Sequence, residues 1–197
     1  MKREFIELTD SIKLCRICKS ELSHKAKPIF QLNPQAKILI AGQAPGIKAH
    51  ESGIPFDDAS GVRLREWMGI SKEVFYDETK FAILPMGFCY PGRNKTGDLP
   101  PRKECAKEWR KKVMDQLPDI KLTLLIGAYA LKWHLGDSMQ RNLTETIKAW
   151  DLYSPKVIPL PHPSPRNNIW LSQNRWFEQE VIIKLRKRIK SLQLGER

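Results

Sequence analysis

The residues of this chain best placed to do chemistry are a histidine held between prolines, two pairs of cysteines, and a phenylalanine in a tight turn. His162 lies in Pro161-His162-Pro163-Ser164-Pro165, directly after the apolar run Val157-Ile158-Pro159-Leu160. A histidine flanked in this way has a fixed backbone, which suits a preorganised hydrogen-bond donor. The plainer alternative is a histidine that only shapes its turn. Phe56 ends the turn Gly53-Ile54-Pro55-Phe56. There it can stack on a flat ligand, or it can fill the core as phenylalanine usually does. Upstream, Ala41-Gly42-Gln43-Ala44-Pro45-Gly46 follows the run Lys37-Ile38-Leu39-Ile40. Such a loop presents backbone N–H groups and small side chains at the carboxyl edge of an open α/β sheet, where ligands bind. Two rigid loops at strand ends can build one pocket with an aromatic wall and a histidine.

The cysteines form a second constellation. Cys15-Arg16-Ile17-Cys18 is a C-x₂-C pair, and Cys89 and Cys105 follow with fifteen residues between them. Thiolates at such spacing coordinate soft metals, and four of them suit an iron–sulfur cluster or zinc. The alternative is four unrelated buried thiols.

To bring these residues together the chain needs parallel strands. Phe81-Ala82-Ile83-Leu84 reads as a second strand, Leu122 to Ile126 as a third, and Val157 to Leu160 as a fourth. A helix over 61–68 offers Val62, Leu64 and Trp67 to the core. Residues 85–101, rich in proline and glycine, form a long structured loop, and a helix starts near Pro101. Cys105, Trp109 and Val113 share one face of it. The next helix carries Leu131 and Trp133. The last runs over 174–192, with Phe177, Val181, Leu185 and Ile189 as its buried stripe and Lys184, Arg186, Lys187, Arg188 and Lys190 outside. Strands alternating with helices imply an α/β fold. We expect three α/β/α layers around a short four-stranded parallel sheet in the order second, first, third, fourth. One domain over 1–197 is expected, with 1–35 as an N-terminal segment.

Composition narrows the partners. The chain has 197 residues, 34 basic and 22 acidic, a net charge of +12 and 41% hydrophobic residues. The charge suits a polyanion, because neutralised phosphates release counterions. No apolar run approaches the ~20 residues that span a bilayer. No apolar signal core follows Met1-Lys2-Arg3-Glu4, so a cytoplasmic, monomeric protein without a membrane partner is expected. Neither G-x-G-x-x-G nor G-x-x-x-x-G-K-[ST] is present, which disfavours a nucleotide-binding module.

GQAPG, then GxPF, then HPSP, in this order on a strand–loop pattern, resembles the uracil-DNA glycosylase superfamily. The closest type is the iron–sulfur (family 4) enzymes, which carry an N-terminal C-x₂-C and a later C-R-P-P-G-N-R…C segment. Here that segment reads Cys89-Tyr90-Pro91-Gly92-Arg93-Asn94-Lys95. The resemblance implies a hydrolase acting on the N-glycosidic bond of uracil, or a related deaminated base, flipped out of damaged DNA. It implies a structural [4Fe-4S] cluster on Cys15, Cys18, Cys89 and Cys105, pinning 1–35 to the core, while spacing alone leaves zinc open. His162 would stabilise the leaving base, and Gln43 would position water. Base contacts fall to Gly42, Ala44, Phe56, Met86, Gly87 and Asn94. DNA contacts fall to Lys48, Arg93, Lys95, Arg166 and Asn167. Ile169 and Trp170 follow as wedge or core residues.

The chain departs from the family twice. Gln43 and Ala44 stand where its members have glutamate or aspartate. His50 falls where the family often has an acidic residue and is the candidate water activator, with Glu51, Asp57 and Asp58 nearby. Pro85 stands where family 4 has a uracil-reading asparagine. Base reading would then pass to backbone groups of Pro85-Met86-Gly87-Phe88. The missing carboxylates also leave open a DNA-lesion-binding protein without activity.

Overall fold

Short apolar runs build the central sheet. The computed structural model describes residues 3–95 and 97–192. Strands β1 (Ile38–Ala41) and β2 (Phe81–Ile83) come first; a small hairpin of β3 (Arg93–Asn94) and β4 (Gly97–Asp98) follows; then come β5 (Leu122–Ile126) and β6 (Val157–Leu160). The main sheet has four strands in the order β2-β1-β5-β6. All its pairings are parallel, with Ile40 level with Ile83 and Leu124, and Ile126 with Leu160. This is the expected order. Pro159 is tolerated because β6 is an edge strand, where one missing N–H can face away from the ladder.

Alternate residues of β1 face opposite layers, as the two-residue repeat of a strand requires. Ile38 and Ile40 pack with Leu64, Trp67, Phe177, Val181 and Leu185. Leu39 packs on the other side with Phe5, Ile12, Val113 and Leu117. Helices thus cover both faces and the strands read as continuous apolar runs. The helix Arg3–Lys13 supplies Phe5 and Ile12. Past it, Gln31 exchanges backbone hydrogen bonds with Ile83, and Ile29 N–H donates to Phe88 O. The N-terminal segment therefore covers the free edge of β2.

Some expectations change. Val62 is 49% exposed, because Ser60, Gly61, Leu64, Trp67 and Met68 occupy the inner face of the helix Ala59–Met68. Trp133 is also largely outside, on the helix Gly127–Leu135. The final helix begins at Phe177 with wide π-type turns and continues through Ile183–Ser191. A separate short helix, Asn168–Gln173, precedes it. No helix among the described residues is long and apolar enough to cross a membrane.

Candidate active site

The carboxyl ends of β1 and β6 open into one cavity of about 450 Å³. Its walls are the Gly42–Gly46 loop, Phe56, the β3–β4 hairpin and the loop from His162 to Asn167. The two loops singled out by sequence therefore share one space.

Phe56 is held in a costly conformation. Its φ is 57°, in the left-handed region that non-glycine residues rarely adopt. Several contacts enforce it. Tyr76 Oη donates to Pro55 O at 2.9 Å, and the Phe56 ring meets Phe75 edge-on with centroids 6.2 Å apart. Gly61 gives the turn room, since a Cβ there would stand 1.7 Å from Phe56 O. The ring lies beside Gly42, where an added Cβ would come within 3.3 Å of Cζ. Strain maintained by this many contacts is common where a side chain must be aimed.

His162 is braced as strongly. Asn167 Nδ2 donates to its carbonyl at 2.7 Å, and Arg63 Nη1 reaches Ser164 O at 3.2 Å. Ser164 N–H donates to His162 Nδ1 at 3.2 Å. Nδ1 is thus the acceptor, and the neutral ring carries its proton on Nε2. Burial holds the imidazole below its ordinary range, against the opposing pull of Asp58 and Asp98. His162 lines the cavity as an uncharged imidazole with one N–H donor.

The segment after β2 serves a different purpose from the one expected. Met86 N–H donates to Gly42 O at 2.9 Å and Gly87 N–H to Gln43 O at 3.0 Å. Phe88 N–H is directed at Cys105 Sγ. Pro85 has no N–H, and its carbonyl accepts from Arg110 Nη1 at 3.2 Å. The N–H groups of Met86 and Gly87 are used in fixing the Gly42 loop and that of Phe88 in reaching Cys105, so none of the three is free to donate to a base. Pro85 lines the cavity, whereas Met86 and Gly87 do not.

The other expected residues divide. Gly42, Gln43, Ala44, Lys48, Arg93, Arg166 and Asn167 line the cavity. His50 does not. It packs against His24 and Tyr90, with centroids 5.5 and 5.9 Å away, and its Nδ1 is buried without a partner. Asn94 Oδ1 accepts from Gly97 N–H at 3.0 Å and closes the hairpin turn. Lys95 is exposed beside it. Ile169 is 72% exposed, while Trp170 donates to Thr144 Oγ1 at 2.8 Å and packs on the core.

Two acidic residues matter more than the sequence indicated. Asp57 pairs outward with Lys72 at 4.0 Å. Asp58 and Asp98 line the cavity. A Cβ added to Gly46 would lie 3.9 Å from Asp58 Oδ2 and 3.7 Å from Asp98 Oδ2, so both carboxylates converge on that glycine. Asp98 escaped sequence reasoning because the hairpin that brings it back has no local signal beyond Gly97.

All four cysteines line a second, smaller pocket. Trp109 Nε1 donates to Cys15 Sγ at 3.4 Å and Phe88 N–H to Cys105 Sγ at 3.3 Å. Such donors suit thiolate sulfur. Burial pushes the Cys89 thiol up to about 11 and that of Cys105 up to about 12. At these two positions a thiolate is favoured only beside a positive centre. As they stand, no three His, Cys, Asp or Glu side chains among the described residues form a group that could hold a metal ion.

Residues 29–186 match the model of the uracil DNA glycosylase superfamily. The chain belongs to that superfamily. It is accordingly a hydrolase of the glycosylase type. It is also 26% identical over 189 residues to a type-4 uracil-DNA glycosylase of Thermotoga maritima, covering 92% of this chain and 91% of the relative. The superfamily match spans both cavity loops, and the cysteine pair at Cys15 and Cys18 lies outside it.

Proposed function

We propose that this protein removes uracil, or a related deaminated base, from DNA by hydrolysing the N-glycosidic bond. The observation that supports this most is that His162, its Nδ1 engaged by Ser164 N–H and its proton therefore on Nε2, lines the same cavity as Phe56. A flipped base would stack on Phe56, a contact worth about 1–3 kcal/mol. As the bond breaks, negative charge gathers on the base. A neutral donor fixed by Ser164 and Asn167 stabilises that charge without reorganising. Gly42 lets the aromatic ring and the loop backbone approach each other. Arg93, Lys48 and Arg166 surround the cavity with positive charge suited to phosphates.

Cys15, Cys18, Cys89 and Cys105 are the residues that would hold the [4Fe-4S] cluster. Its contribution is structural: it cross-links the N-terminal segment to the loop after β2 and to the helix that begins at Lys103. The cysteine order shared with the iron–sulfur glycosylases supports the cluster over zinc. Iron and sulfide analysis of the purified protein tests it. About four of each is expected, and zinc in their place overturns the cluster.

The activity is tested by single-turnover release of uracil, hypoxanthine and xanthine from matched single- and double-stranded oligonucleotides. Release of one of these, strongly slowed in His162→Ala, is expected. No release by folded, metal-loaded protein would favour lesion binding without catalysis.

A further inference from the structure

The first loop, Gly42-Gln43-Ala44-Pro45-Gly46, carries no carboxylate. A hydrolytic glycosylase still needs a base for its water. His50 cannot be that base, since it faces His24 and Tyr90 outside the cavity. Gln43 can orient water but cannot take a proton from it.

We propose that Asp58 is the carboxylate that activates the attacking water, an assignment that rests on the glycosylase reading. Asp58 lies two residues beyond Phe56 and lines the same cavity. Its two oxygens have separate tasks. Oδ1 accepts from Gly61 N–H at 2.9 Å as the N-cap of the helix Ala59–Met68. That bond, at the start of the helix, fixes the side chain. Oδ2 is left on the side of Gly46, where the absence of a Cβ keeps the approach open. The carboxylate also acts electrostatically on His162, the proposed donor to the leaving base.

The step balances with water alone. Asp58 accepts one proton as the water oxygen bonds to C1′ of the sugar. The C1′–N bond breaks and its electron pair leaves on the base, held by His162. The proton on Asp58 then passes to solvent. Asp98 approaches Gly46 from the hairpin and adds negative potential beside the developing sugar cation. It is exposed and has no comparable N-cap, so it supports rather than replaces Asp58.

Asp58→Asn tests the assignment cleanly, because asparagine is as good an N-cap as aspartate and still accepts from Gly61. The wild-type substrate is first found with the panel above. The variant is then expected to release that base at least about 100-fold more slowly. Its melting temperature and its affinity for the same oligonucleotide with a cleavage-resistant 2′-fluorinated sugar should match wild type. Asp98→Asn should be impaired less. Wild-type rate in Asp58→Asn, with His162→Ala inactive, overturns the assignment. A larger loss in Asp98→Asn overturns it in favour of the hairpin carboxylate. A wild type that releases no base overturns the glycosylase reading itself, and that result is visible before any variant is made.

Discussion

Buried Arg110 and half-buried His134 form a pair in which the histidine is the acceptor. Arg110 Nε lies 2.9 Å and Nη2 2.6 Å from His134 Nε2. Arginine has only donors, so the histidine proton resides on Nδ1. Arg110 Nη1 reaches both Leu84 O and Pro85 O at 3.2 Å, and its guanidinium lies 5.2 Å from the Trp133 ring. One side chain, 1% exposed, thus holds the segment whose N–H groups support the Gly42 loop. Among the described residues no carboxylate forms an ion pair with it. Burial pushes the guanidinium down to about 9, and Cys105, five residues earlier, pulls the other way.

Arg110→Met should therefore cost more than its lost volume. It leaves two carbonyls and an imidazole nitrogen without their donor in a dry site. A destabilisation of about 2–4 kcal/mol is expected from such unsatisfied groups. Arg110→Lys should not restore it, since one ammonium cannot span three acceptors arranged for a planar fork. Denaturant titration of the purified protein measures both. Equal stability of Arg110→Met and wild type would refute the argument.

His134 makes stability depend on pH. Burial, reinforced by Arg110, pushes its imidazole down to about 3. The unfolded chain binds this proton near the usual value of about 6.5. Between those values the unfolded state holds more protons than the folded one, so stability falls as pH falls from about 6.5 towards 3. His134→Gln removes that dependence and should flatten the acid side of a melting-temperature profile relative to wild type. An unchanged slope would mean that other groups carry it. His50 and His162 are shifted in the same direction, so the slope should diminish rather than vanish.

The sheet was legible because each strand is a short apolar run closed by glycine or proline, and because parallel strands hide both faces. The cavity loops were legible because proline and glycine fix them locally. What escaped depends on contacts distant in sequence. Asp98 reaches Gly46 across about fifty residues, through a hairpin of two-residue strands. Arg110 reads as one more surface base on a basic helix, and only the packed structure shows its carbonyl partners. His50 was misplaced because the sequence puts it in the right loop without showing which side of the helix Ile47–Ser52 it takes. The backbone donors of 86–88 read as available until the structure paired them.

The Phe56 turn yields a sharper test than the aromatic alone. Phe56→Ala should weaken binding of the flipped base by the stacking contribution, about 1–3 kcal/mol. Gly61→Ala should do comparable harm without touching the cavity. Its Cβ would lie 1.7 Å from Phe56 O, so the helix or the turn must move. The positive φ of Phe56 then loses its support. Base release by Gly61→Ala should fall together with thermal stability, whereas Phe56→Ala should lose release while keeping most stability. Full activity in Gly61→Ala would show that the turn tolerates displacement.

Arg166 reaches from the His162 loop to the β3–β4 hairpin, and Gly97 is what admits it. A Cβ at Gly97 would stand 2.0 Å from Arg166 Nη1, at a φ of +141° that side chains rarely adopt. The guanidinium is thereby held against the hairpin in the wall of the cavity, which Arg93 also lines, and under the proposed function it is available to a DNA phosphate. Phosphate contacts add to the salt dependence of binding, at about 0.9 in the slope of log K against log salt for each one made on duplex DNA. Arg166→Gln should reduce that slope by about one and weaken binding of all sequences alike. Gly97→Ala should do the same by displacing the guanidinium, although it removes no charge. If Arg166→Gln lowers the slope and Gly97→Ala leaves it unchanged, the charge matters but its placement by Gly97 does not. If neither changes it, the phosphate path lies elsewhere on the cavity rim.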